Sequence, residues 1–106
     1  MKLVTKEIES KLPPLYSQEN NPDPIAVIKF FDPCGRYTFY VLEGQRTEDG
    51  DLLFFGFCCS ALGPDCDEMG YVSLRELEGV RGQLGVGIGR DLYFSPTPLS
   101  KIRGDS

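Results

Sequence analysis

Two stretches decide the fold: Arg36–Glu43, reading RYTFYVLE, and Leu52–Cys58, reading LLFFGFC. The first alternates. Tyr37, Phe39 and Val41 fall on one face, with Arg36, Thr38 and Tyr40 on the other, which is the period of two of a β-strand. The second is an apolar run like Ile25–Phe31 upstream, and Ile25–Phe31 has the composition of a strand covered on both faces. Short links join the three. Asp32-Pro33-Cys34-Gly35 is a tight-turn sequence, because Pro presets φ and Gly accepts positive φ. Glu43–Asp51 contains Asp49-Gly50, a strong hairpin signal. Consecutive strands with short links predict an antiparallel meander.

Outward from this centre, Thr5–Leu12 reads as a short amphipathic helix. Thr5 is placed to cap it, Glu7 and Glu9 suit its positive start, and Ile8 and Leu12 share a face. Pro13 and Pro14 stop it. Residues 13–24 are irregular and hold four of the eight prolines. Residues 59–68 read as a loop before a short strand, Gly70–Val72. Ser73-Leu74-Arg75-Glu76 has the pattern of a capping box, predicting a helix with Leu74 and Leu77 on its apolar side and Gly79 or Gly82 at its end. A glycine-rich connection over 82–90 leads to a last strand at Leu92–Phe94, and Pro96 and Pro98 open an extended tail. The expectation is a single α+β domain over residues 1–106: an antiparallel meander of four to five strands with two short helices in one layer against the sheet.

Composition sets the outer limits. With 41% hydrophobic and 25% charged residues, the 106-residue chain resembles an ordinary globular domain. No apolar run near the start is long enough for a signal peptide or membrane span, so the expected compartment is the cytoplasm, with the four Cys as reduced thiols. A net charge of −5 disfavours direct nucleic-acid binding, which needs a basic face to displace counterions. The charge is uneven. Residues 43–78 hold nine acids against two bases, a net of −7, and the remainder holds seven acids against nine bases, a net of +2. Such a field can steer a basic partner.

The chain has no histidine. That removes Ser-His-Asp and Cys-His nucleophile systems and the His ligands of most catalytic zinc. The only Glu-x-Lys, Glu9-Ser10-Lys11, lies on the first helix with no acidic strand before it, unlike a carboxylate-held Mg²⁺ nuclease site. Asp49, Asp51, Asp65, Asp67 and Glu68 cluster in turn-like segments. They read as a solvated loop surface, with a divalent-cation site as the alternative. Cys34, Cys58, Cys59 and Cys66 lack any C-x₂-C spacing, and adjacent Cys58 and Cys59 point to opposite faces if extended, so they read as buried or incidental thiols rather than a zinc site. Gly85–Gly89 follows a helix and precedes a strand, the reverse of a dinucleotide fingerprint. Pro13-Pro14-Leu15-Tyr16 matches the PPxY pattern of WW-domain ligands, but reads first as a helix stop followed by a packed tyrosine. Arg81, Arg90 and Asp91 flank the glycine-rich segment, where an ion pair with Asp91 or Glu78 competes with binding of an anion or an acidic partner. No cofactor is expected.

Leu12-Pro13-Pro14-Leu15-Tyr16, Lys29-Phe30-Phe31, Tyr40 with Glu43-Gly44, Phe54-Phe55-Gly56, Gly70 through Glu78, Arg81-Gly82, and Arg90-Asp91-Leu92-Tyr93-Phe94 with Pro96 resemble the bacterial DUF2958 family. The resemblance covers nearly the whole chain. It implies a bacterial domain of unknown function, often carried on plasmids and integrative elements, and it implies no activity. Where the family's third strand bears tryptophan, this chain has Arg36-Tyr37-Thr38-Phe39-Tyr40, and Gly89 replaces an acid before the Arg-Asp pair.

The function expected is a non-catalytic accessory protein that binds a protein partner, with Asp49, Asp51, Asp65, Asp67, Glu68, Arg81, Arg90 and Asp91 as contact residues. One version has the acidic face occupying a phosphate site in a host-defence or nucleic-acid-handling complex. Two alternatives compete: a small carboxylate- or metal-dependent hydrolase, requiring converging acids, and a dimerising module using an exposed sheet edge.

Overall fold

A computed structural model describes residues 4–32, 37–60, 68–79 and 87–102. Helix α1 spans Lys6–Ser10, and the Thr5 hydroxyl oxygen caps it by accepting from the Ile8 amide at 3.2 Å. The apolar run Ile25–Phe31 is two strands rather than one: β1 (Ile25–Ala26) and β2 (Ile28–Phe31). They separate at Val27, whose amide donates to the Val41 carbonyl at 2.8 Å. β2 then joins the main sheet. β1 pairs instead with the tail strand β7 (Thr97–Pro98), Ile25 opposite Pro98.

The meander continues through β3 (Tyr37–Arg46), β4 (Leu52–Ser60) and β5 (Glu68–Ser73). A short strand, β6 (Gly89–Arg90), adds antiparallel to the other side of β2, giving the order β5-β4-β3-β2-β6. The sheet is therefore antiparallel throughout, as the short links predict. Between β3 and β4, Gly50 takes the left-handed φ of +86° that its turn requires. Ser73 and Glu76 form the reciprocal capping box at the start of α2 (Leu74–Gly79): the Glu76 amide donates to the Ser73 hydroxyl at 3.1 Å and the Ser73 amide to the Glu76 carboxylate at 3.2 Å.

The carboxy-terminal part differs from expectation. Leu92–Phe94 is a turn, because Asp91 draws the chain back: its carboxylate accepts from the Tyr93 amide at 2.9 Å and its carbonyl from the Phe94 amide at 3.4 Å. The last residues pair as β7 and wind into a third helix, α3 (Leu99–Ile102). Asp23 holds that helix from a distance, accepting the Ser100 amide at 2.9 Å and the Ser100 hydroxyl at 2.7 Å. Residues 33–36, 61–67 and 80–86 lie outside the described residues.

Two apolar clusters form, one on each face of the sheet. Ile28, Phe30, Phe39, Val41, Leu52, Phe54 and Leu77 make the larger, with Ile8 and Leu12 from the α1 side packed on it. Phe30 and Phe54 meet with ring centroids 5.4 Å apart. Ala26, Leu42, Phe57 and Leu99 make the smaller one, on the opposite face beneath α3. A bidentate pair between Arg46 and Glu9, at 2.7 and 3.1 Å, fastens α1 to the end of β3 on the first face.

Candidate functional site

The site begins with an irregularity in β3. Val41 pairs with Gly56 but Glu43 pairs with Phe55, so β3 carries one extra residue, Leu42. Unbroken alternation would send Glu43 to the face of Phe39 and Val41, into an apolar cluster where a carboxyl has no partner. The bulge turns Glu43 to the opposite face. Alternation then resumes in the new phase, and Gly44 lies under Leu12 and Phe54 so closely that a methyl there would meet both within 3.2 Å. The bulge also explains the glycine that interrupts the β4 run: a methyl on Gly56 would overlap the Tyr40 carbonyl oxygen.

Glu43 is buried, with 4% of its surface exposed. Its two carboxylate oxygens accept the backbone amides of Tyr16, at 2.9 Å, and Gln18, at 2.7 Å. The Gln18 side chain completes the tie. Its amide nitrogen donates to the Leu42 carbonyl at 2.7 Å and the Ile25 carbonyl at 3.0 Å, while its oxygen accepts the Ile25 amide at 2.7 Å. The irregular 13–24 segment is thereby clamped across the sheet. The clamp holds Tyr16 at φ 69°, the one non-glycine in the left-handed region among the described residues. A bulky side chain there costs about 1–2 kcal/mol.

The clamp leaves a pocket. Glu43, Phe55 and Tyr71 lie in one cross-strand row over β3, β4 and β5. The rings of Phe55 and Tyr71 meet at 4.8 Å, and a side-chain hydrogen bond joins Tyr71 to Tyr16. Together with Gln18, Glu19, Leu42 and Met69 these residues enclose about 360 Å³. Three of the five large hydrophobic side chains that remain exposed among the described residues, Tyr16, Met69 and Tyr71, gather here. Among the described residues two acids line the pocket and no base does. The Tyr71 phenol is held above its ordinary range, chiefly by the Tyr16 hydrogen bond, then by desolvation, with the nearby Glu43 and Glu19 carboxylates adding to it.

The residues singled out from sequence fall elsewhere, and they do not converge. Asp49 pairs with Arg75 at 3.2 Å, and Asp51 accepts the amides of Leu52 at 2.8 Å and Arg75 at 3.2 Å, so both dock the hairpin loop on α2. Asp51 precedes the first residue of β4, whereas Glu68 pairs with Cys58 near its other end, roughly 20 Å away at strand rise. Glu68 begins a strand rather than ending a loop. Asp91 pairs with Lys29 at 3.8 Å, and Arg90 sits in β6 opposite Phe30. Asp65, Asp67 and Arg81, and with them Cys34 and Cys66, lie outside the described residues. Among the described residues no group of three or more Cys, Asp or Glu is arranged to hold a metal ion.

Cys58 and Cys59 pack on opposite faces, as extended neighbours must. Burial pushes the Cys58 thiol up, against the smaller opposing effect of the Tyr37 hydroxyl 3.7 Å away, so it is no activated nucleophile. Tyr16, expected to be packed, is 64% exposed, because its left-handed backbone lifts the ring to the pocket rim. The same conformation is incompatible with a polyproline II ligand. Sequence reasoning missed Glu43, Gln18 and Tyr71. The one signal was a carboxylate set directly after the apolar Val41-Leu42 of a strand and followed by glycine.

The family model described as "Protein of unknown function (DUF2958)" matches residues 3–102. The chain belongs to this family. No curated protein and no solved structure matches it. No helix among the described residues is long and apolar enough to cross a membrane.

Proposed function

We propose that this domain is a non-catalytic binding protein that acts in the cytoplasm on a protein partner, through the pocket between Tyr16 and Tyr71 and the adjoining outer edge of β5. The observation that carries the reading is the gathering of Tyr16, Met69 and Tyr71 around Glu43 at a sheet edge. Exposed aromatics beside a strand that is outermost among the described residues suit β-augmentation, in which main-chain bonds supply affinity and side-chain pockets supply specificity. Asp49 and Asp51 support it less, since their oxygens are already engaged within the fold. The charge segregation favours a partner with a basic surface, a class that includes nucleic-acid-handling and host-defence complexes. The same edge also favours self-pairing, which light scattering tests directly.

Site-specific photo-cross-linking decides the matter. A photoreactive amino acid in place of Met69 is expected to capture a protein in lysate of a bacterium carrying the gene, and one in place of the more accessible Tyr93 is not. No adduct at Met69 at either low or physiological salt overturns the proposal.

A further inference from the structure

Resting on that reading, we infer that the pocket is a seat for a Lys or Arg side chain, presented by an extended partner segment that pairs with β5.

Charge comes first. Among the described residues the lining holds the acids Glu19 and Glu43 and no Lys or Arg, a charge that disfavours anions. Gln18 and Glu43 are already satisfied within the fold, so the group an apolar ligand would leave unanswered is the exposed Glu19 carboxylate at the rim. Aromatic faces from Tyr16, Phe55 and Tyr71 combined with carboxylates are the chemistry that holds a cation, worth roughly 0.5–2 kcal/mol for the ring contact.

Geometry then selects an extended segment. Tyr71 and Met69 point to the pocket face of β5, because they stand opposite Phe55 and Phe57. A strand added outside β5 would lie about 4.8 Å farther out, and its side chain opposite Tyr71 would stand on the same face, about 5 Å away. From there a four-carbon stem lies across the Tyr71 ring and carries its ammonium toward the two acids. Among the described residues β5 is the outermost strand, paired with β4 on one side alone. Tyr16, held at the rim by a backbone conformation that the Glu43 clamp enforces, closes the far side.

The test uses the full-length protein, labelled for amide NMR, and capped pentapeptides of alternating Thr and Val with Lys, Arg, norleucine or Glu at the centre. Lys and Arg peptides are expected to shift the amides of β5, Tyr16 and Gln18, weakening as NaCl rises. Tyr71→Ala should weaken Lys-peptide binding roughly two- to thirtyfold. Glu19→Gln, an exposed substitution that leaves the clamp intact, should weaken it severalfold with an unchanged spectrum of the free protein. Equal binding of the norleucine peptide overturns the cation seat and leaves the edge as a binding surface. No binding of the Lys or Arg peptide, with cross-linking at Met69 still observed, overturns the inference alone. Loss of that cross-link overturns the binding reading itself.

Discussion

The two faces of the sheet are made from the same strands and the same aromatic residues, yet they end in different states. On one face Phe30, Phe39 and Phe54 are fully buried, and α1 and α2 cover them. On the other, α3 covers Leu42 and Phe57 only toward one end, while Phe55 and Tyr71 share the rest with a buried carboxylate and a clamped loop. The difference comes from one extra residue in β3. Where alternation is unbroken, apolar side chains fill one side and helices close over it. Where the bulge shifts the phase, a polar group is delivered to the face and must be satisfied, so a backbone loop occupies space that a helix would otherwise fill. A closed face stabilises the fold, and a half-covered one has room to recognise something else.

The comparison breaks most visibly on the closed face. Phe54→Ala removes a fully buried ring and is expected to lower stability by about 3–5 kcal/mol in chemical denaturation, whereas Tyr71→Ala, half exposed on the open face, should cost far less. A comparable loss at both positions would show that the open face is as much a core as the other.

Next in size is Glu43→Gln. A carboxamide has one oxygen where two amides need acceptors, so the Tyr16 or Gln18 amide loses its partner at a cost of about 2–3 kcal/mol. The same change at exposed Glu68 should stay within about 0.5 kcal/mol. If the two substitutions behave alike, the clamp is not what holds the 13–24 segment.

Tyr16 permits a finer test. Both Tyr16→Ala and Tyr16→Gly remove the ring, but glycine accepts the left-handed backbone, so the glycine variant should be more stable than the alanine variant by about 1 kcal/mol. The reverse order would mean that the segment relaxes once the ring is gone.

The smallest effect depends on pH. Hydrogen bonds from the Ser100 hydroxyl and amide hold the Asp23 carboxyl below its ordinary value of 3.8. A carboxyl whose value is depressed in the folded protein adds stability above its unfolded value, and loses it as pH falls through the folded one. Wild type should therefore melt slightly above Asp23→Asn at neutral pH, with the gap closing as pH falls below the ordinary carboxylate range. A gap that persists in acid would rule out the ionised carboxylate as the cause.

Much of this structure was legible from local chemistry. Thr5 and the Ser73–Glu76 box cap the helices they were read to cap, and Asp49-Gly50 turns the hairpin, because each acts through neighbours a few residues away. The strands were legible from period and composition. The break at Val27 and α3 were not, since each depends on a partner distant in sequence, Val41 for the first and Asp23 for the second; the turn at Leu92 is local, made by Asp91 two residues before Tyr93, but the strand-like Leu-Tyr-Phe composition masks it. The acidic segment was visible as a count, but a count does not reveal that Asp49 and Asp51 are spent on Arg75 and on backbone amides.

By itself, then, the sequence determined the antiparallel meander, its caps and turns, the family and the absence of histidine chemistry, because alternation, capping and composition act at short range. Tertiary structure alone decided which way Glu43 faces. The phase of β3 beyond Val41 is set by the register against Gly56 and Phe55 and by the amides of Tyr16 and Gln18, more than twenty residues upstream, and on that phase the pocket depends.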